Sequence, residues 1–124
     1  MSRKSNILLI IVDCLRSDYV IDELARIPAM NKLKKESSVF TSLITSASTT
    51  SPCLASLLTG VYPVHNGVRS LSGSKLSESL ACLPSELAKA GYNTYAEVTG
   101  PLTKELGFAG FFHEYNYRSE KETI

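Results

Sequence analysis

Six consecutive apolar residues, Ile7 to Val12, stop at a carboxylate, Asp13. A strand with one wet face alternates apolar and polar side chains. An unbroken Ile/Leu/Val run instead predicts a strand buried on both faces, as in a parallel sheet covered by helices. The rest of the pattern fits that requirement. Ser17 to Ile27 has a partial helical pattern, with Leu24 and Ile27 three apart, and Pro28 interrupts it. Ala29 to Glu36 continues as a short amphipathic helix carrying Met30 and Leu33. Ser38 to Thr45 alternates Val39, Thr41, Leu43 and Thr45 against Phe40, Ser42 and Ile44, which predicts a second strand.

Ala47 to Ser51 reads as a small-polar loop. Pro52 to Thr59 is a helix with proline in its first turn and Gly60 at its end. Ser70 to Ser79 is a serine-rich surface segment. Leu83 to Ala90 is a helix opened by Pro84 and stopped by Gly91, and Tyr92 to Val98 is the next strand, closed by Gly100-Pro101. Leu106 to Arg118 is rich in aromatic residues. This alternation predicts a single α/β domain over residues 1–124, a layered and mainly parallel sheet flanked by helices. Sites in such sheets open at the carboxyl ends of strands. Asp13 stands at one such end, and Thr50 follows another.

Composition narrows the function classes. With 124 residues, 44% of them hydrophobic and 20% charged, the chain is sized for one ordinary globular domain. A net charge of +1 without a basic stripe argues against nucleic acid as a partner. The cluster Lys32, Lys34 and Lys35 reads as a solvated helix face. Arg3 and Lys4 precede the apolar run as in a signal peptide, but the run ends at Asp13 with no small-residue cleavage site behind it. It is also far short of the ~20 residues that span a bilayer. The expectation is a cytoplasmic protein without a membrane partner. Cys14, Cys53 and Cys82 have no metal or disulfide spacing. Cys53 and Cys82 read as small buried fillers on helices.

Two residues carry candidate chemistry. A carboxylate closing a buried apolar strand is costly unless paired or metal-bound. Asp13 is therefore a candidate ligand for a hard metal or zinc, a helix-capping or arginine-paired aspartate being the plainer alternative. Thr50 precedes the Pro52 helix, where a threonine is ordinarily an N-cap. The amino end of a helix also presents N–H groups and partial positive charge, which stabilise an alkoxide and the oxyanion of a phosphoryl or sulfuryl group. A nearby metal would activate the hydroxyl further.

Together, Val12-Asp13-Cys14-Leu15-Arg16-Ser17-Asp18 and Thr50-Ser51-Pro52-Cys53-Leu54-Ala55-Ser56-Leu57-Leu58-Thr59-Gly60 resemble the N-terminal part of the sulfatase family, within the alkaline phosphatase superfamily. The resemblance implies Asp13 as a metal ligand. It also brings Arg16 within reach of the bound anion, although a salt bridge to Asp18 is the plainer role. Cys14 stands where the family often has a second aspartate. That loss argues against the calcium site of ordinary sulfatases and is compatible with phosphodiesterase relatives. The divalent ion implied for the full-length protein is calcium, zinc, magnesium or manganese.

The family motif Cys/Ser-x-Pro-x-Arg, whose first residue is oxidised to formylglycine, aligns on Pro52. Thr50 then takes the first position, Cys53 the fourth and Leu54 the place of the arginine. Threonine cannot become formylglycine, because its Cβ carries a methyl and oxidation would give a ketone. Cys53 is not the oxidised cysteine, since Ala55 and Leu57 stand where proline and arginine would follow it. An unmodified threonine resembles the branches that pass through a phosphothreonine. The implied substrate is a small phosphate or sulfate ester, with the chemistry leaning toward phosphate. Asn66 takes the place of a common family histidine beside Gly67, and His65 is shifted by one; it reads as a turn residue, and His113 has less support still.

The resemblance covers nearly the whole chain but only the first part of a typical family member. The family's downstream lysine or histidine, and its further Asp, His or Asn ligands, have no counterpart here. The leading expectation is a metal-dependent hydrolase or transferase with Thr50 as nucleophile, its site incomplete in this chain alone. The alternative is a non-catalytic assembly or binding piece that keeps the fold without the site. Strands without neighbours also predict a homo-oligomer.

Overall fold

The computed structural model describes residues 4–22 and 26–119. The expected helical continuation through Leu24, and Arg3 ahead of the apolar run, lie outside the described residues. The chain forms two compact units that divide between Ile44 and Thr45.

Among its described residues the first unit contains the helices α1 (Ser17–Ile21) and α2 (Pro28–Glu36). Pro28 opens α2 at a position whose N–H has no intrahelical acceptor, so the missing donor costs nothing. Lys34 Nζ donates to the Val20 carbonyl at 2.7 Å and ties α2 to α1. The two strands expected in this part do not form. Residues 7–12 have no regular structure, with exposure from 46% at Ile11 to 83% at Leu8. Residues 38–45 are likewise irregular, and Phe40 and Ile44 stand 82% and 90% exposed. Among the described residues the only paired strands lie in the second unit. An extended segment without a ladder partner gives its N–H and C=O groups to water, and its side chains are solvated with them.

The second unit contains α3 (Thr50–Thr59), α4 (Pro63–Asn66), α5 (Leu83–Lys89), β1 (Tyr95–Val98) and β2 (Glu114–Tyr117). The strands pair in parallel, with Tyr95 opposite Glu114 and Val98 opposite Tyr117. Two 3-10 turns, Lys104–Leu106 and Phe108–Phe111, occupy the crossover between them. The architecture is thus mixed α/β with a small parallel sheet. Its core gathers Ala55, Val68, Leu76, Leu106 and Phe108, with Leu58, Leu102, Phe111 and Tyr115 packed against them. Among the described residues, no helix is long and apolar enough to cross a membrane.

Local chemistry sets these elements. α3 begins at Thr50, two residues earlier than the proline suggests, and Pro52 is tolerated in the first turn because a backbone N–H there would have no intrahelical acceptor. Gly60 ends the helix at φ 70°, its N–H bonded to the Ser56 carbonyl at 2.8 Å. Gly67 holds φ 90°, and a Cβ there would lie 2.8 Å from the Lys75 carbonyl oxygen, so this close approach requires glycine. Ser85 Oγ accepts the Cys82 N–H at 3.2 Å and caps α5. The sheet is clasped at its entry. Thr94 donates its N–H to His113 Nδ1 at 3.1 Å, and the His113 N–H reaches Thr94 Oγ1 at 3.1 Å. Because the Thr94 N–H can only donate, Nδ1 accepts, and the imidazole proton belongs on Nε2.

Candidate functional site

α3 places Thr50 at its first helical position, partly buried, behind an extended N-cap, Thr49. The first turn of a helix directs N–H groups that lack intrahelical acceptors toward whatever lies beyond its amino end. Two neighbouring nucleophile candidates are occupied. Ser51 is fully buried and donates its hydroxyl to the Leu71 carbonyl at 2.8 Å. Cys53 Sγ lies 2.8 Å from Thr45 Oγ1, and that hydroxyl also donates to the Ala47 carbonyl at 2.8 Å.

Leu54, at the position of the family's arginine, is 6% exposed and belongs to the core. An apolar side chain there joins the packing of the second unit instead of presenting a guanidinium. Asn66 is fully buried. Its Nδ2 donates to the Val61 carbonyl at 2.9 Å and to Ser56 Oγ at 3.3 Å, while its Oδ1 accepts the Val68 N–H at 2.9 Å. It therefore links the last turn of α3 to α4 and the segment beyond. Sequence reasoning missed this role. The available signal was the Asn-Gly pair, whose amide side chain suits a tight turn. His65 is exposed on α4, and His113 serves the strand clasp.

Asp13 and Arg16 lie in the first unit, and Thr50 in the second. Asp13 is exposed, and its Oδ1 accepts the Cys14 N–H at 3.0 Å. Cys14 adopts φ 55°, among the described residues the one non-glycine position in the left-handed region. That conformation costs about 1 kcal/mol and turns the chain sharply after the apolar run. Arg16 makes a two-pronged contact with Asp18, at 3.1 Å from Nε and 2.6 Å from its terminal nitrogen, and its guanidinium stands 5.4 Å from the centre of the Tyr19 ring. The Arg16 guanidinium holds the Asp18 carboxyl below the usual carboxylate range.

Asp13 offers the hard oxygen that calcium, magnesium, manganese or zinc accepts. Among the described residues, however, no three His, Cys, Asp or Glu side chains gather in one place. One carboxylate does not satisfy an ion that takes about four to eight ligands. The described residues thus do not make a complete metal centre.

The Sulfatase family model matches residues 5–122, and the chain belongs to the sulfatase family. Members of this family act on sulfate esters and generally use a divalent metal ion. No curated protein and no solved structure matches the chain.

Proposed function

We propose that this chain takes part in hydrolysis or transfer of a small phosphate or sulfate ester, with Thr50 as nucleophile and Asp13 as one ligand of a divalent cation. The observation that carries the reading is the place of Thr50 at the first position of α3, behind an extended N-cap. Phosphate fits the chemistry better. The Thr50 Oγ–P bond forms as the ester P–O bond breaks, the hydroxyl proton leaves, and the departing alkoxide takes one up. Water then displaces Thr50 from phosphorus, restoring the hydroxyl and releasing inorganic phosphate. A sulfated threonine would lack the elimination route that formylglycine supplies. The fuller proposal for the fold is a layered, mainly parallel sheet flanked by helices, of which β1 and β2 are part.

Turnover of p-nitrophenyl phosphate, bis-p-nitrophenyl phosphate and p-nitrophenyl sulfate by the full-length protein with divalent metals tests this. Thr50→Ala is expected to lower the rate by a factor of about 10³ or more. Wild-type rates in that variant would remove Thr50 from the mechanism.

A second reading, a binding or assembly piece without catalysis, is favoured by Leu54 and Asn66 lying in the packed interior at two positions the family uses otherwise. Absence of turnover on all three esters with every metal would support it. Either reading includes self-association through the exposed apolar residues of the first unit, since a stable dimer needs roughly 800 Å² per partner. A monodisperse monomer in light scattering at high protein concentration would remove that element.

A further inference from the structure

The entry to the strand pair joins a sealed residue to a wet one. Thr94 is 8% exposed, whereas His113, 19 positions on, is open to solvent. The Thr94 N–H donates to His113 Nδ1 at 3.1 Å, and Thr94 Oγ1 stands 2.9 Å from the same nitrogen. In return the His113 N–H reaches Thr94 Oγ1 at 3.1 Å. The Thr94 carbonyl also accepts the N–H groups of His113 and Glu114, at 3.1 and 3.2 Å. The start of β2 is thus held to Thr94 through contacts that need an accepting Nδ1.

A neutral imidazole accepts at one nitrogen, and an imidazolium accepts at neither. Histidine is the side chain that crosses between these forms from about pH 8 to about pH 5. The exposure of the His113 ring lets water deliver the proton. A proton on Nδ1 would then face the Thr94 N–H, donor against donor. Turning that proton to Thr94 Oγ1 would still leave the amide of a buried residue without its acceptor.

We propose that His113 is an acid-sensitive latch on the β1–β2 pair, shut by the neutral ring and released by the imidazolium. The latch is independent of Thr50 and of any reaction. The core behind it has ties of its own: the Leu76 N–H bonds the Leu106 carbonyl at 2.9 Å, and the Ser77 N–H the Asn66 carbonyl at 3.0 Å. Around the latch, β1 brings Tyr95 and Glu97, and β2 brings Glu114. Glu97 is engaged by Arg118 at 3.1 Å, and Glu114 Oε1 accepts the Asn116 amide at 3.4 Å. Tyr92 lies between α5 and β1, Glu86 and Lys89 of α5 pair at 2.7 Å, and the turn Phe108–Phe111 carries no titratable side chain. Tyrosines ordinarily titrate above about pH 8 and carboxylates below about pH 5, so the range between them reads histidine.

The test is hydrogen exchange followed by nuclear magnetic resonance on the isotope-labelled protein from pH 8 to pH 5. Each rate is divided by that of an unstructured chain at the same pH. Protection at the Thr94, His113 and Glu114 amides is expected to fall at least about fivefold, the loss of one ordinary hydrogen bond. Protection at the Leu76 amide should hold within about twofold, since local opening leaves other cooperative regions closed. His113→Asn offers an amide oxygen as acceptor and takes up no proton in this range, so its protection should stay flat. Unchanged protection in the native chain, or an equally steep fall in His113→Asn, overturns the latch. If that variant fails to fold, the ring nitrogens decide. Their couplings to the ring protons should place the proton on Nε2 at pH 8, and on both nitrogens where protection is lost. A proton on Nδ1 at pH 8 overturns the proposal.

Discussion

The two units carry apolar residues of the same kind and treat them in opposite ways. In residues 4–22 and 26–44 the side chains Leu8, Ile10, Phe40, Leu43 and Ile44 are each more than 70% exposed. In the second unit Ala55, Val68, Leu76, Leu106 and Phe108 are each 3% exposed or less. The difference lies in which backbone groups find partners. Around the second core the chain closes on itself: Leu76 bonds Leu106, Ser77 bonds Asn66, and β1 pairs with β2. Residues 7–12 and 38–44 gain no ladder partner among the described residues. Apolar content sets the demand for burial, and paired backbone decides where that demand is met.

The largest effect should come from cutting equal side chains in the two units. Phe108→Ala is expected to destabilise the protein by about 3–5 kcal/mol, by loss of transfer energy and the cavity left behind. Phe40→Ala should change stability by less than about 0.5 kcal/mol. Urea melts of the two variants check this, and equal losses would break the contrast between the units.

A middle-sized effect is expected at Asn66. Asn66→Ala leaves the Val68 N–H and the Val61 carbonyl without their side-chain partner, at about 1–3 kcal/mol. Asn31→Ala, in the first unit, should cost less, since Asn31 Oδ1 is buried with no hydrogen-bond partner. The same melts order the two.

The smallest effect is alkaline. Burial pushes the Cys82 thiol up to about 11, and Tyr115 is likewise raised by burial to about 12. Both groups are neutral when folded and ionise earlier in the unfolded chain, so the unfolded state loses protons first as pH rises. Stability is fully present below about pH 9 and falls progressively toward pH 12. Cys14, exposed in the first unit, should react with iodoacetamide in the native protein, whereas Cys82 should react only on unfolding. Equal alkylation rates at pH 8 would sink the assignment of Cys82 to a sealed interior.

Much of the second unit was legible in the sequence because its signals are local. Pro52 with Gly60, Pro84 with Gly91, and the strand before Gly100 each describe a boundary within a few residues, and helix α3, helix α5 and strand β1 appear there. The apolar run of residues 7–12 was legible only as a need for burial. Its neighbours depend on distant pairing that no local pattern encodes. For the candidate site, Thr50 was singled out through the resemblance of Thr50-Ser51-Pro52 to the family motif. The roles of Ser51, Leu54 and Asn66 could not be read, since a serine hydroxyl bonded twenty positions away, or an amide bridging three segments, leaves no periodic trace.

The Thr94–His113 clasp has a consequence for how the molecule assembles. Joining two points 19 positions apart carries a closure entropy of roughly 2.5 kcal/mol. That cost falls once, at the clasp, and the four pairs from Tyr95–Glu114 to Val98–Tyr117 then form with no further loop to close. In a parallel ribbon this short, a slip by one residue would turn the half-buried Tyr115 and Tyr117 toward water. The clasp thus acts as the starting notch of a zipper, setting the alignment before the teeth engage.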